Sequence, residues 1–107
     1  MTTIDLHSEY LRAELFLTSG QPTEAVAILA PVVAEYPEDV SVLELLGRAC
    51  FHSAQLARAE KAFGQLVELA PADGWARRAL ARTLERQHRA DEAAAHHRMA
   101  DALGAAS

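Results

Sequence analysis

The chain has 107 residues, half of them apolar and only 6% aromatic, with ten Lys and Arg against fifteen Asp and Glu for a formal charge of -5. That length suits one small domain, and the acidic balance argues against nucleic acid as the main partner, because phosphate neutralisation needs clustered Lys and Arg. A single cysteine, Cys50, excludes an internal disulfide framework; the opening MTTIDLHSEYL has neither a basic leader nor a long apolar core, and no apolar run approaches membrane-spanning length, so the expected compartment is the cytoplasm.

In chain order, Asp5 precedes a helical pattern that breaks at Ser19-Gly20-Gln21. A second helix follows, is interrupted by Pro31, where the bond to the carbonyl of Ala27 is lost, and stops before Pro37. The same succession then recurs: Asp39, a helix, a break at Ser53-Ala54-Gln55, a helix, and Pro71. It starts a third time at Asp73, breaks at Gln87-His88-Arg89, and continues to the end. The period is 34, and it holds in several independent columns: Asp5, Asp39 and Asp73; Ala13, Gly47 and Ala81; Phe16, Cys50 and Leu84; Ala25, Ala59 and Ala93; Pro37 and Pro71. Leu43, Leu46 and Cys50, then Leu56, Ala59, Phe63 and Leu66, recur at three- and four-residue steps, which places each set on one helix stripe. Each repeated Asp stands where its carboxylate can accept from free first-turn amides, and the prolines stop the second helices. The expected fold is all-α, with three helical hairpins and about six helices.

On these residues the chain resembles the tetratricopeptide repeat, a 34-residue helix-turn-helix unit. Leu46 and Gly47 match the family's Leu-Gly pair, Ala59 its small residue in the second helix, Phe63 its aromatic and Pro71 its closing proline. Gly47 and Ala59 let the helices of one hairpin approach closely, while Phe63 fills space toward the next. The repeats are expected at about 6–39, 40–73 and 74–107, in a single domain. Glu9 and Arg12 in the first unit, and His97 and Ala105 in the last, occupy slots the family uses for packing. Polar terminal faces of this kind are those of end repeats, so a complete three-repeat array is expected. Arg77 stands in a slot that is apolar in the family.

The resemblance implies a right-handed superhelix whose concave groove, lined by the first helices, binds peptides or partner proteins. Carried over residue by residue, it points Tyr10, Glu14 and Leu17 inward from the first unit, Glu44, Leu45, Arg48, Phe51 and His52 from the second, and Trp75, Arg78, Arg82 and Glu85 from the third. Trp75 either projects into the groove or tucks into the hairpin seam beside Arg77. Some family members clamp a C-terminal carboxylate with lysine, asparagine and arginine; the corresponding slots here hold Tyr10, Glu14, Leu45, Trp75 and Ala79, which supply no such donor.

Residues 1–73 carry eleven acids and four bases, whereas residues 74–107 carry four acids and six arginines. Arg78, Arg82, Arg86 and Arg89 fall along one helix face beside Arg77, a pattern suited to an acidic protein or peptide. His96 and His97 are adjacent, so they diverge by about 100° on a helix and form no metal pair; they read as surface residues, and Cys50 as a buried packing thiol. There is no phosphate-binding glycine loop, no HExxH and no nucleophile motif, so neither catalysis nor a cofactor is expected. The expected role is a non-enzymatic interaction module, monomeric in the leading reading; the alternatives are a self-assembling homodimer or a regulatory subunit that recruits an enzyme or nucleic-acid complex.

Overall fold

Three aspartates start the odd-numbered helices. In the computed structural model, which describes residues 3–107, the Asp5, Asp39 and Asp73 carboxylates accept from the backbone N–H of Ser8 (3.2 Å), Val42 (3.0 Å) and Ala76 (3.2 Å). Each satisfies an orphan amide and faces the positive helix end. The helices they open are α1 (Leu6–Thr18), α3 (Val40–His52) and α5 (Gly74–Arg86). Each is followed by an antiparallel mate, α2 (Pro22–Glu35), α4 (Leu56–Leu69) and α6 (Ala90–Ala102). No strand occurs among the described residues.

The turn within each hairpin is the same. Gly20, Ala54 and His88, spaced by 34, all take left-handed φ (78°, 60° and 61°), and the next amide returns to a carbonyl five residues back: Gln21 to Phe16, Gln55 to Cys50, Arg89 to Leu84. This closes the first helix with its last carbonyls satisfied and reverses the chain within a few residues. Pro31 lies inside α2 on its exposed side, and the helix runs on to Glu35.

Helices pack in chain order, mate to mate within a hairpin and α2 to α3, α4 to α5 between hairpins, with α1 also reaching α3. The result is a rod of 45 × 24 × 20 Å, the nearest-neighbour architecture of a repeat array. Ala13, Ala25, Ala59 and Ala81 are fully enclosed, and Ala93 nearly so. An ideal Cβ on Gly47 would stand 2.6 Å from Phe63 Cδ1, so the α3–α4 crossing requires glycine there. Phe63, Leu29, Leu43, Leu45, Leu66 and Val32 fill the core, and Cys50 is buried among them with its thiol pKa pushed up by that burial.

Leu45 is therefore a correction. It is 0% exposed and belongs to the core rather than to the groove. Its slot faces the preceding hairpin, as do those of Val42 and Ala49, also fully buried. The equivalents of Leu45 and Ala49 in α1 are Leu11 and Leu15, which are 49% and 65% exposed because no hairpin covers α1 among the described residues.

Candidate functional site

The first helices of the second and third hairpins set side chains at 34-residue intervals on one side of the rod. Between α3 and α5 they border a cavity of about 380 Å³ lined by Arg48, Phe51, His52, Phe63, Trp75, Arg78, Ala79 and Arg82, with Ala105, Ala106 and Ser107 from the last residues. Six of the residues expected to face the groove thus converge on one pocket: Arg48, Phe51, His52, Trp75, Arg78 and Arg82.

Trp75 does both things asked of it. Its ring meets Phe63 edge-on at 5.9 Å between centroids, which anchors it to the core, yet it remains 45% exposed and borders the pocket. Phe51 is half-buried, packs edge-on against His52 and carries the Arg86 guanidinium 4.6 Å above its ring. Arg86 also donates to the Phe51 carbonyl at 2.8 Å, so it binds the end of α3 to α5.

The arginines of α5 are not a free basic face. Arg78, whose side chain is 11% exposed, pairs with Asp101 and donates to His97 Nδ1 (2.7 Å) and to the Ala106 carbonyl (3.0 Å). Arg89, expected on the same helix face, instead lies past the end of α5 as the residue capping α6, where Glu60 and Glu92 share it, and Arg86 is held as described. Arg77 lies beside His96 Nδ1 (3.5 Å) with its Nε buried and unpartnered. Of Arg78, Arg82, Arg86 and Arg89, Arg82 alone has no acidic or carbonyl partner among the described residues, and Arg48 on α3 shares that condition. The histidines likewise depart from the surface reading. Arginine cannot give up a proton, so His97 must accept at Nδ1 and offer Nε2–H to Glu85, 3.0 Å away. Glu85 is thereby engaged at the α5–α6 seam.

The N-terminal part of the groove has the opposite charge. The Tyr10 hydroxyl is pushed above its ordinary pKa, first by burial and then by Glu14 and Glu44, with Arg48 opposing them. Leu17 is half-buried against the core. Tyr10, Glu14, Leu17 and Glu44 thus lie outside the pocket; Tyr10, Glu14 and Glu44 stand near one another and near Arg48, which lines it.

Sequence reasoning missed Phe63, Ala79 and the last three residues as pocket lining. Phe63 and Ala79 border it as neighbours of expected residues; in the terminal segment Ala105 falls in the column of Pro37 and Pro71 without repeating their proline, and that column says nothing of a pocket.

A family model for the tetratricopeptide repeat matches residues 16–71. The chain belongs to the tetratricopeptide repeat family. Solved structures agree with that assignment. MamA residues 41 to the end, from Desulfovibrio magneticus RS-1, is 26% identical with a TM-score of 0.87, covering 94% of this chain and 56% of that one. A MamA mutant at 24% identity superposes with a TM-score of 0.89, over 95% of this chain and 74% of the other, which bears on the fold alone. This chain thus spans 56% of the length of that solved Desulfovibrio chain. No curated protein matches the chain.

Proposed function

We propose that this tetratricopeptide repeat chain is a non-enzymatic interaction module that holds a protein segment in its concave groove, with an acidic side chain of the partner between Arg48 and Arg82 and an apolar one against Trp75 and Phe51. One observation carries the reading. Arg48 and Arg82 occupy the same slot of successive repeats, border one pocket, and have no acidic partner among the described residues, whereas Arg78 beside them is fully engaged. Two unpaired cations next to half-exposed aromatic rings favour a ligand that brings negative charge and apolar surface together. The acidic approach at Glu14 and Glu44 orients that segment, because an acid is repelled there and attracted at the pocket. The proposed setting is the cytoplasm; no helix among the described residues is long and apolar enough to cross a membrane.

The test uses Trp75, the single tryptophan, as reporter. Its fluorescence is titrated with peptides that alternate Glu with Phe or Leu, and with Lys-containing counterparts, for the native chain and for Arg48→Glu combined with Arg82→Glu. Expected are saturable binding of the acidic set, weakening with salt, and a loss of about tenfold or more on charge reversal, since each close pair contributes on the order of 1 kcal/mol or more when partly desolvated. Equal binding by the reversed protein, or preference for the Lys peptides, defeats the reading.

Leu11 and Leu15 favour a second reading, self-association through the exposed face of α1. Two leucines per copy fall well short of the roughly 800 Å² that a stable interface buries on each partner, so the groove reading leads. Sedimentation across concentration decides: a monomer at high micromolar concentration removes the dimer.

A further inference from the structure

The chain does not leave α6 as it leaves α2 and α4. Those helices have 14 residues and are followed by Tyr36 (φ -124°) and Ala70 (φ -133°), from which the backbone proceeds to the next repeat. Helix α6 has 13 residues, and the equivalent position, Gly104, takes φ +78°. A left-handed glycine redirects the chain. Its own amide bonds to the Asp101 carbonyl and that of Ala105 returns to the Ala100 carbonyl, both at 3.0 Å, so the segment folds back over the start of α5 instead of running on along the array.

Two features hold it there. Arg78 spans the gap from α5, donating from Nε to the Ala106 carbonyl at 3.0 Å and lying 3.5 Å from that of Ala105, while its other nitrogens are fixed by Asp101 and His97. Gly74 provides the space: a Cβ there would stand 2.8 Å from Ala105 Cβ and 3.2 Å from Leu103 Cβ. The segment so placed contributes Ala105, Ala106 and Ser107 to the lining of the pocket that Arg48 and Trp75 also border.

We propose that residues 103–107 form a strap that walls one end of the pocket, with Arg78 as its pin, and that the strap limits how much of Trp75 a ligand can reach. Arg78 is then a positioning residue. It shapes the pocket through the strap, and a ligand at Trp75 meets Ala105 and Ala106 as its end wall. This conclusion is independent of what the groove binds.

The experiment needs no ligand. Hydrogen exchange at Gly104 and Ala105 and acrylamide quenching of Trp75 are measured on the full chain and on Arg78→Lys and Gly74→Ala. Lysine keeps a charge for Asp101 but lacks the fork that also reaches the strap carbonyls. The alanine leaves Arg78 intact and forces Ala105 away, at a helix start where alanine is otherwise favoured. In both variants amide protection at Ala105 should fall about tenfold or more and the Trp75 quenching constant should rise about twofold, with helix content retained. Full protection of Ala105 in Arg78→Lys overturns the pin. Protection lost without a change in Trp75 quenching overturns the wall.

Discussion

Replacing Ala54 by glycine is expected to stabilise the protein, and replacing Gly20 by alanine to destabilise it by a similar amount. Both positions hold the left-handed residue of the hairpin turn, at φ 60° and 78°. A residue with a Cβ costs roughly 1–2 kcal/mol in that region, from the approach of Cβ to the following carbonyl. Glycine avoids this strain but loses about 0.5–1 kcal/mol of extra chain entropy on folding. The difference is about 0.5–1 kcal/mol in favour of glycine. At Gly20 a new Cβ would meet nothing within 4 Å, so the backbone term stands alone. For a domain of this size the shift in Tm is about 2–6 °C in each direction. Urea and thermal unfolding followed by circular dichroism measure it, with an unchanged m-value showing that only stability has moved. His88, at φ 61°, is a third instance and should respond like Ala54. A destabilised Ala54→Gly together with a neutral Gly20→Ala would refute the shared turn geometry.

Three further outcomes follow from packing, capping and titration. Gly47→Ala drives a methyl into the Phe63 ring, which is 2% exposed and has little room to move; the expected loss is about 1–3 kcal/mol in urea unfolding, with a shift in Trp75 emission because Trp75 rests on that ring. Asp39→Ala removes the acceptor for the Val42 amide and should cost about 1 kcal/mol, with Asp39→Asn retaining most of it. His96, held between Arg77 of α5 and Glu92 and His97 of its own helix, has a pKa lowered from the ordinary 6.5, first by burial and then by Arg77. The unfolded chain therefore takes up that proton first as pH falls. The stability present above about 6.5 declines below it and levels off once the folded ring protonates. Urea midpoints at about pH 7.5 and 5.5 should show the decline, His96→Gln should flatten part of it, and an identical slope in that variant would remove His96 as the cause.

How much could be read beforehand depended on the range of the interactions concerned. The aspartate caps and the prolines act within a few residues, so their chemistry and their 34-residue spacing both stand in the sequence, whereas of the turn residues only Gly20 has the chemistry of a left-handed position and Ala54 and His88 are placed by spacing alone. The arginines of α5 did not yield to the same reasoning. Their helix spacing is that of an exposed basic stripe, but the groups that consume Arg78 and Arg86 lie elsewhere, His97 and Asp101 on α6 and the Phe51 carbonyl on α3, and Arg89 falls outside α5 altogether, at the start of α6, where Glu60 of α4 meets it. Helical period reports which face a side chain occupies, not what stands opposite.

Leu45 shows how narrow that margin is. Glu44 and Leu45 are adjacent and so diverge by about 100° around α3; Glu44 keeps partial exposure while Leu45 meets the preceding hairpin and is enclosed. Within α3 the two directions are equivalent, and only stacking separates them. The 34-residue spacing contained part of the missing constraint, since Leu11, Leu45 and Ala79 share one slot that is apolar in all three repeats, as inter-hairpin packing requires, although Ala79 also borders the pocket. The same comparison isolates Arg48 and Arg82. Their column begins with Glu14, so one groove slot changes sign along the rod, and the pocket forms where the two positive members stand side by side. A packing column needs no such reversal, because buried slots are filled by volume; a single change of sign in a slot that stays accessible to solvent is the feature on which the proposed groove reading rests.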